Sequence, residues 1–76
     1  MIETLERVVL TNNLPERGLR AGDVGTIVLI HNQGEGYEVE FVALDGETIA
    51  VVSVYANQVR RVRSGEIAHV RSVKGV

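Results

Sequence analysis

The sequence predicts one small all-β domain, and three observations support this prediction. The chain has 76 residues, which is enough for a single domain. Val is the commonest of its apolar residues, and β-branched side chains favour strands. Eight Gly residues interrupt the apolar runs at short intervals, as tight turns between strands require. No apolar pattern with a helical period continues beyond a few residues, so we expect no helix longer than one or two turns.

The first two strands are predicted on either side of a long loop. Strand one covers residues 5–11, and strand two covers residues 24–31. The second strand is apolar on both faces, which predicts burial on both sides or a bend, and Gly25 can permit such a bend. The loop between the strands contains Leu14 and Leu19, so we expect it to fold over one end of the domain and to be held there.

The third strand has the clearest pattern in the chain. Tyr37, Val39 and Phe41 alternate with Glu38 and Glu40, which gives one apolar face and one acidic face. Successive side chains of a strand point to opposite sides, so the apolar face is predicted to face the core.

The rest of the sheet is predicted from turn signals. The Asp45–Gly46 dipeptide indicates a tight hairpin of type I′, in which both central residues have positive φ. Strand four follows over residues 48–54, and residues 55–58 are expected to form a short helical turn. Strand five covers residues 59–63, with Val59 and Val62 as its apolar positions.

Five short strands, a long loop after strand one and a helical turn before strand five are the outline of a small SH3-like barrel. Closure of the sheet is expected to leave no open strand edge. Residues 1–63 form this predicted barrel. Residues 64–76 form a basic C-terminal tail, which is too apolar for full disorder and is expected to dock irregularly or to pair with a strand edge. In the strands that are apolar on both faces, the sequence leaves the choice of inward residues open by one position. Nine residues are expected to form most of the core: Val8, Leu10, Ile27, Leu29, Val39, Phe41, Ile49, Val51 and Val59.

Four stretches carry a resemblance to a known family: LPERGLRAGDVGTIV at 14–28, YEVEFV at 37–42, DGET at 45–48 and ANQVR at 56–60. In this order they resemble a family of short bacterial SH3-like barrel proteins catalogued as a domain of unknown function. The resemblance implies the fold and no catalytic residue. The spacing of Gly22, Gly25, Ile27 and Val28 also looks like a KOW motif, which occurs in SH3-like barrels associated with ribosomes and transcription.

No pattern for catalysis, metal binding or cofactor binding is found. The chain has no Cys, and its two His residues, His31 and His69, are not spaced as metal ligands. His31 ends an apolar strand and is expected to be a solvated residue rather than a catalytic base. The glycines before strand two lead into a strand, whereas a phosphate cradle leads into a helix. We therefore expect no enzyme activity, no metal and no cofactor.

Charge is distributed unevenly along the chain. Residues 1–59 contain nine acidic and three basic residues, and residues 60–76 contain five basic residues and one acidic residue. One interpretation is that Arg60 and Arg61 pair with Glu38, Glu40 or Glu47 of the acidic body. The alternative is that the basic segment binds nucleic acid, but no aromatic residue alternates with its bases to stack on nucleotides.

These observations favour a noncatalytic protein-binding module, with an antitoxin-like or immunity-like role as one form of it. SH3-like barrels offer a partner peptide a shallow groove beside the long loop, here residues 12–23, and an exposed strand edge. An acidic body suits a basic protein partner. The alternative hypothesis is an RNA- or ribosome-associated module of KOW type, so nucleic acid is the less favoured partner. No signal peptide or membrane segment is found, which predicts a cytoplasmic protein, either monomeric or a homodimer formed through the tail. The candidate partner-binding residues lie in the long loop and among the aromatic residues: Leu14, Pro15, Glu16, Arg17, Tyr37 and Tyr55.

Overall fold

The computed structural model describes residues 2–73 and contains a single antiparallel sheet of five strands. The strands are β1 Arg7–Leu10, β2 Val24–His31, β3 Gly36–Val42, β4 Thr48–Tyr55 and β5 Val59–Arg61. Two short 3₁₀ turns, η1 Pro15–Arg17 and η2 Ala56–Gln58, complete the secondary structure. The predicted small five-stranded all-β fold is confirmed, with its long loop after β1 and its helical turn before β5, and the arrangement is consistent with an SH3-like barrel.

The strand order is β4-β3-β2-β1-β5, which places β4 and β5 at the two ends of the sheet. Within the described residues these two strands do not pair, so the expectation that closure removes the edges is wrong, whereas an exposed strand edge is present as predicted. The physical reason is the length and position of β5. It has three residues, all paired with β1, and η2 carries the chain to it from the end of β4. The outer edge of β4 therefore has no partner strand.

The core contains side chains from all five strands and from the long loop. Six of the nine predicted core residues are confirmed as buried, and Ile49 packs against the core while partly exposed. The buried residues of this core cluster are Val8, Leu10, Leu19, Ile27, Tyr37, Val39, Phe41, Val52, Val54 and Val59.

Leu29 and Val51 were predicted in the core, but 52% and 46% of their surface is exposed. Two register shifts explain the difference. One lies between Ile27 and Leu29 in β2. The other lies in β4, where Phe41 pairs with Ala50 and Val42 pairs with Thr48, so that Ile49 is an extra residue. An extra residue moves every later side chain of a strand to the other face, because the side-chain period is two. Val52 consequently takes the inner position expected for Val51.

The loop after β1 is held against the barrel as predicted. Leu14 and Leu19 exchange two backbone hydrogen bonds of 2.9 and 3.1 Å, with η1 between them. Leu19 is buried, and Leu14 packs against the core cluster. The loop therefore caps one end of the barrel with apolar side chains and keeps η1 on the surface.

The hairpin between β3 and β4 is confirmed, but its turn differs from the predicted type I′. The Gly46 N–H donates to the Ala43 carbonyl at 2.9 Å, and the Ala43 N–H donates to the Glu47 carbonyl at 2.8 Å. Gly46 has φ +97°, whereas Asp45 is not among the residues with positive φ. This geometry is a three-residue loop, in which a left-handed Gly follows a turn, and it requires positive φ at only one position.

We expect Gly46→Val to lower the free energy of unfolding by about 1–2 kcal/mol, because a β-branched residue is strained in the left-handed region. The measurement is urea unfolding of the variant beside the wild type. Gly46→Asn is the matched control and should lose less stability, since Asn tolerates this conformation. Equal stability of the Val variant and the wild type would contradict the turn geometry.

After β5 the chain turns sharply instead of continuing the strand to residue 63. Glu66 accepts hydrogen bonds from both Arg60 terminal nitrogens, at 2.9 and 2.6 Å, and from the Arg63 backbone N–H at 2.5 Å. These hydrogen bonds close a turn that includes Gly65, whose φ is +84°. Val62, predicted as an apolar position of strand five, lies beyond the end of β5 and is exposed.

The segment from 66 to 73 follows the barrel without regular secondary structure. The Arg71 guanidinium donates to both carboxylate oxygens of Asp23, with Nε 2.8 Å from Oδ1, and to the Gly18 carbonyl at 3.1 Å. Ile67 and Val70 remain exposed. The division of the chain at residue 64 stays a prediction, and Lys74 and Val76 lie outside the described residues.

We expect the protein to lose stability as the pH falls from about 5 toward 2. Hydrogen bonds from Arg60, and then from the Arg63 N–H, lower the pKa of Glu66 from 4.5 to about 2. Burial raises the pKa of Asp23, but hydrogen bonds from Arg71 and the Arg20 N–H lower it more, so the net pKa is below the ordinary value. A carboxyl with a lowered folded pKa stabilises the fold above its unfolded pKa and loses that contribution as it protonates.

The measurement is the urea midpoint at pH 7, 4 and 2.5. Glu66→Gln removes one of these carboxylates and should show a smaller drop in midpoint between pH 7 and pH 2.5 than the wild type. An identical drop in both proteins would show that Glu66 does not contribute to acid sensitivity.

Candidate functional site

The open edge of β4 is the candidate site. Arg17 of η1 donates from Nη2 to the Val51 carbonyl at 3.4 Å, which shows that this carbonyl points away from β3. In a strand, the N–H and C=O of one residue point to the same side, and the side alternates along the chain. The backbone groups of Val51 and Ser53 therefore both face outward. Arg17 occupies the Val51 carbonyl, and the Val51 N–H and the Ser53 N–H and C=O are placed to pair with another strand.

Both ends of this edge are bounded by other parts of the chain. Arg17 lies over the end at Val51. At the other end, the outward-facing Tyr55 N–H donates to the Gln58 side chain of η2 at 2.7 Å. The accessible stretch is therefore short and centred on residues 51–53. Short edges limit unwanted pairing between strands while leaving room for a partner segment.

The outer face beside the edge is acidic. Glu40 and Glu38 lie directly opposite Val51 and Ser53 in the β3–β4 register. Glu35 and Glu47 are exposed in the turns at the two ends of this strand pair. Arg17 is the base that contacts β4 here, so carboxylates outnumber cations around the edge.

Glu38 is the centre of a polar cluster on this face. Its Oε2 lies 2.6 Å from His31 Nε2 and also accepts a hydrogen bond from the Ser53 hydroxyl. The Ser53 bond, and then the His31 bond, lower the pKa of Glu38. His31 ends β2 as predicted, with 44% of its side chain exposed, and the strand pairing also brings it beside Glu38. Ser53 donates to the carboxylate and not to the imidazole, so this cluster lacks the serine–histidine contact that would activate a nucleophile.

A family model described as a domain of unknown function, DUF4926, matches residues 4–61. The chain belongs to the DUF4926 family. The match covers all five strands, so it includes the open edge of β4 and its acidic face. Comparison with curated proteins and with solved structures gives no match.

The candidate residues predicted for the DUF4926 chain are divided between surface and core. Pro15, Glu16 and Arg17 are exposed on η1, and Tyr55 is 74% exposed at the end of β4. Leu14 packs against the core with a partly exposed side chain.

Tyr37 is only 3% exposed, because it lies on the apolar face of β3, so its ring is not available to a partner. The structure brings Arg17 and Tyr55 to the same strand edge. Sequence reasoning missed Val51 and Ser53 between them, although they alternate with Tyr55 along one face of the strand.

The arginines of the basic segment are engaged by acids other than those predicted. Arg60 pairs with Glu66 and Arg61 pairs with Glu6, both at 2.6 Å. The predicted partners Glu38, Glu40 and Glu47 belong to β3 and the β3–β4 hairpin, whereas β5 lies at the opposite end of the sheet beside β1. The general prediction of pairing with acids is therefore confirmed, and the predicted partners are wrong.

No group of three or more His, Asp or Glu side chains in residues 2–73 is arranged to hold a metal ion. Among the same residues, no helix has both the length and the apolar character needed to cross a membrane.

Proposed function

We propose that this DUF4926 chain is a noncatalytic protein-binding module that pairs with an extended segment of another protein along the edge of β4. The supporting observation is the outward direction of the Val51 and Ser53 backbone groups at the end of the sheet. Addition of a strand to an open edge gives affinity through main-chain hydrogen bonds, and neighbouring side chains then provide specificity.

The charge around the edge favours a basic partner. Glu38 and Glu40 lie half-buried on the outer face opposite the two open residues, and Glu47 is exposed at the hairpin end. Complementary charge accelerates encounter and excludes acidic segments. An antitoxin-like or immunity-like role, in which the acidic face covers a cationic surface of another protein, is one form of this proposal.

Binding of RNA is the less favoured function. Arg60, Arg61 and Arg71 each contact a carboxylate, and phosphate would have to compete with these ion pairs. Phosphate binding also weakens steeply with salt. Retention of RNA by the purified protein at low salt, with loss at high salt, would favour that function over the proposed one.

The test uses tagged protein purified from its native host, with Val51→Pro as the edge variant. Pro removes the outward N–H of Val51 without touching a bond to β3, so the fold should be retained. Val51→Thr keeps the N–H and is the matched control. We expect a stoichiometric protein partner with the wild type and with Val51→Thr, and about tenfold weaker retention with Val51→Pro, as the loss of one or two hydrogen bonds predicts.

Two results would contradict the proposal. One is the absence of any stoichiometric protein partner. The other is full retention of the partner by a Val51→Pro protein that has an unchanged circular dichroism spectrum.

A further inference from the structure

A groove of about 290 Å³ continues the outer face beyond the open edge of β4. Its lining includes His31, Glu35, Gly36, Ser53 and Tyr55. Three of these residues form one row across the sheet, because His31 pairs with Gly36 and Gly36 pairs with Tyr55. The middle position of the row therefore carries no side chain, and the groove lies between an imidazole and a phenol ring.

Gly36 cannot be replaced by a residue with a side chain without movement of the backbone. A Cβ at this position would lie 2.9 Å from the Val54 carbonyl oxygen. That distance is shorter than ordinary van der Waals contact, so close pairing of β3 with β4 requires Gly here. The groove is thus a consequence of how the sheet is built and not of a particular side-chain rotamer.

The groove combines an aromatic surface with negative charge. Tyr55 is 74% exposed, so its ring is free for stacking. Glu35 contributes an exposed residue with a carboxylate to the lining, and Glu38 contacts both His31 and Ser53 of the lining. No Lys or Arg of the described residues is part of the lining. A planar cation is attracted by an aromatic face and donates paired hydrogen bonds to carboxylates, and a guanidinium group does both.

We propose that this groove binds an arginine side chain of the protein partner, with the guanidinium stacked on Tyr55 and hydrogen-bonded to Glu35. The inference rests on the proposed function, since it names the partner residue that would follow the strand paired with β4. The groove adjoins the edge directly at Ser53, so a segment leaving the edge passes over it. Charge selects the occupant, because an apolar or acidic side chain would leave Glu35 unpaired or face repulsion.

The test uses two acetylated and amidated tripeptides, Gly-Arg-Gly and its citrulline analogue, titrated into ¹⁵N-labelled protein at pH 7.5. Citrulline has nearly the same shape as arginine and no charge. We expect the arginine peptide to shift the amide signals of Gly36, Ser53 and Tyr55, and the citrulline peptide to bind at least about fivefold more weakly.

Four variants assign the binding to the groove. Tyr55→Ala should weaken binding of the arginine peptide about fivefold, while Tyr55→Phe keeps the ring and should bind as the wild type does. Glu35→Gln should weaken binding, while Glu47→Gln removes an equal charge outside the groove and should have little effect. The amide spectrum of each variant reports directly whether its fold is retained.

Equal binding of the two peptides, shifts confined to other parts of the sheet, or unchanged affinity of a folded Tyr55→Ala protein would overturn the inference. Its failure is distinguishable from failure of the proposed function. If the arginine peptide does not bind but Val51→Pro still weakens capture of the partner about tenfold, the edge is the binding site and the groove is not. If the peptide binds in the groove and no protein partner is recovered, the groove recognises a guanidinium group and the proposed pairing along β4 is wrong.

Discussion

Replacement of Phe41 by Ala is expected to lower the free energy of unfolding by about 3–5 kcal/mol. Phe41 is 3% exposed, and it is the only Phe of the chain. Its removal leaves a cavity in the core, and the Val side chains that make up much of this core are too stiff to fill it. A domain of this size has a total stability on the order of 5 kcal/mol, so the variant should be largely unfolded at moderate temperature.

The measurement is urea unfolding followed by circular dichroism, with Leu29→Ala as the matched control. The sequence places both residues in the core, whereas the structure buries Phe41 and exposes Leu29. We expect the Leu29 variant to remain within about 0.5 kcal/mol of the wild type. Similar losses in the two variants would contradict the register shift in β2.

Replacement of Gly25 by Ala is expected to lower the free energy of unfolding by about 3 kcal/mol, the largest loss after that of Phe41→Ala. A Cβ at Gly25 would lie 2.5 Å from Val39 Cγ1 and 2.9 Å from both the Glu40 carbonyl oxygen and Phe41 Cε1. One of these atoms belongs to the backbone of β3, so relief of the clash requires the paired strands to separate. The added methyl group therefore disturbs pairing as well as packing.

Gly22→Ala is the control for this prediction. Gly22 has φ +97°, and nothing lies within 4 Å of the position that its Cβ would occupy. Its substitution should cost only the backbone strain, about 1 kcal/mol. Gly22 lies in the loop before β2 and Gly25 lies within β2. The comparison therefore separates the cost of a steric clash from the cost of a strained backbone at two nearby glycines. If Gly25→Ala unfolds at the same urea concentration as the wild type, β2 and β3 are not packed as closely as the structure has them.

The strands with a single apolar face were predicted well from the sequence. The inner face of β3 follows directly from alternation of Tyr37, Val39 and Phe41 with two glutamates. The short helical turn before β5 was also predicted. So was the cap formed by Leu14 and Leu19, because apolar residues in a polar loop have only the core to pack against. Where both faces of a strand are apolar, as in β2 and β4, alternation carries no information about which face is inside.

The candidate site was predicted only at its margins. Arg17 of the long loop and the aromatic residue Tyr55 were among the predicted partner-binding residues. Their position at one strand edge depends on the order of the sheet, which no local pattern contains. Val51 was predicted in the core. The extra residue at Ile49 shifts the alternation of β4, so the Val51 side chain lies on the outer face and its N–H and C=O groups point away from β3.

The sequence by itself determined the class of fold, the number of strands and the position of each turn, because β-branched residues, alternation and Gly act over a few neighbouring residues. Tertiary structure alone decided which strands lie at the ends of the sheet, which arginine meets which acid and which valines are buried. Those outcomes depend on contacts between residues far apart in the chain. A single extra residue in a strand exchanges its inner and outer faces without a visible change in composition. The open edge of β4 and the groove beside Gly36 are both results of such long-range pairing.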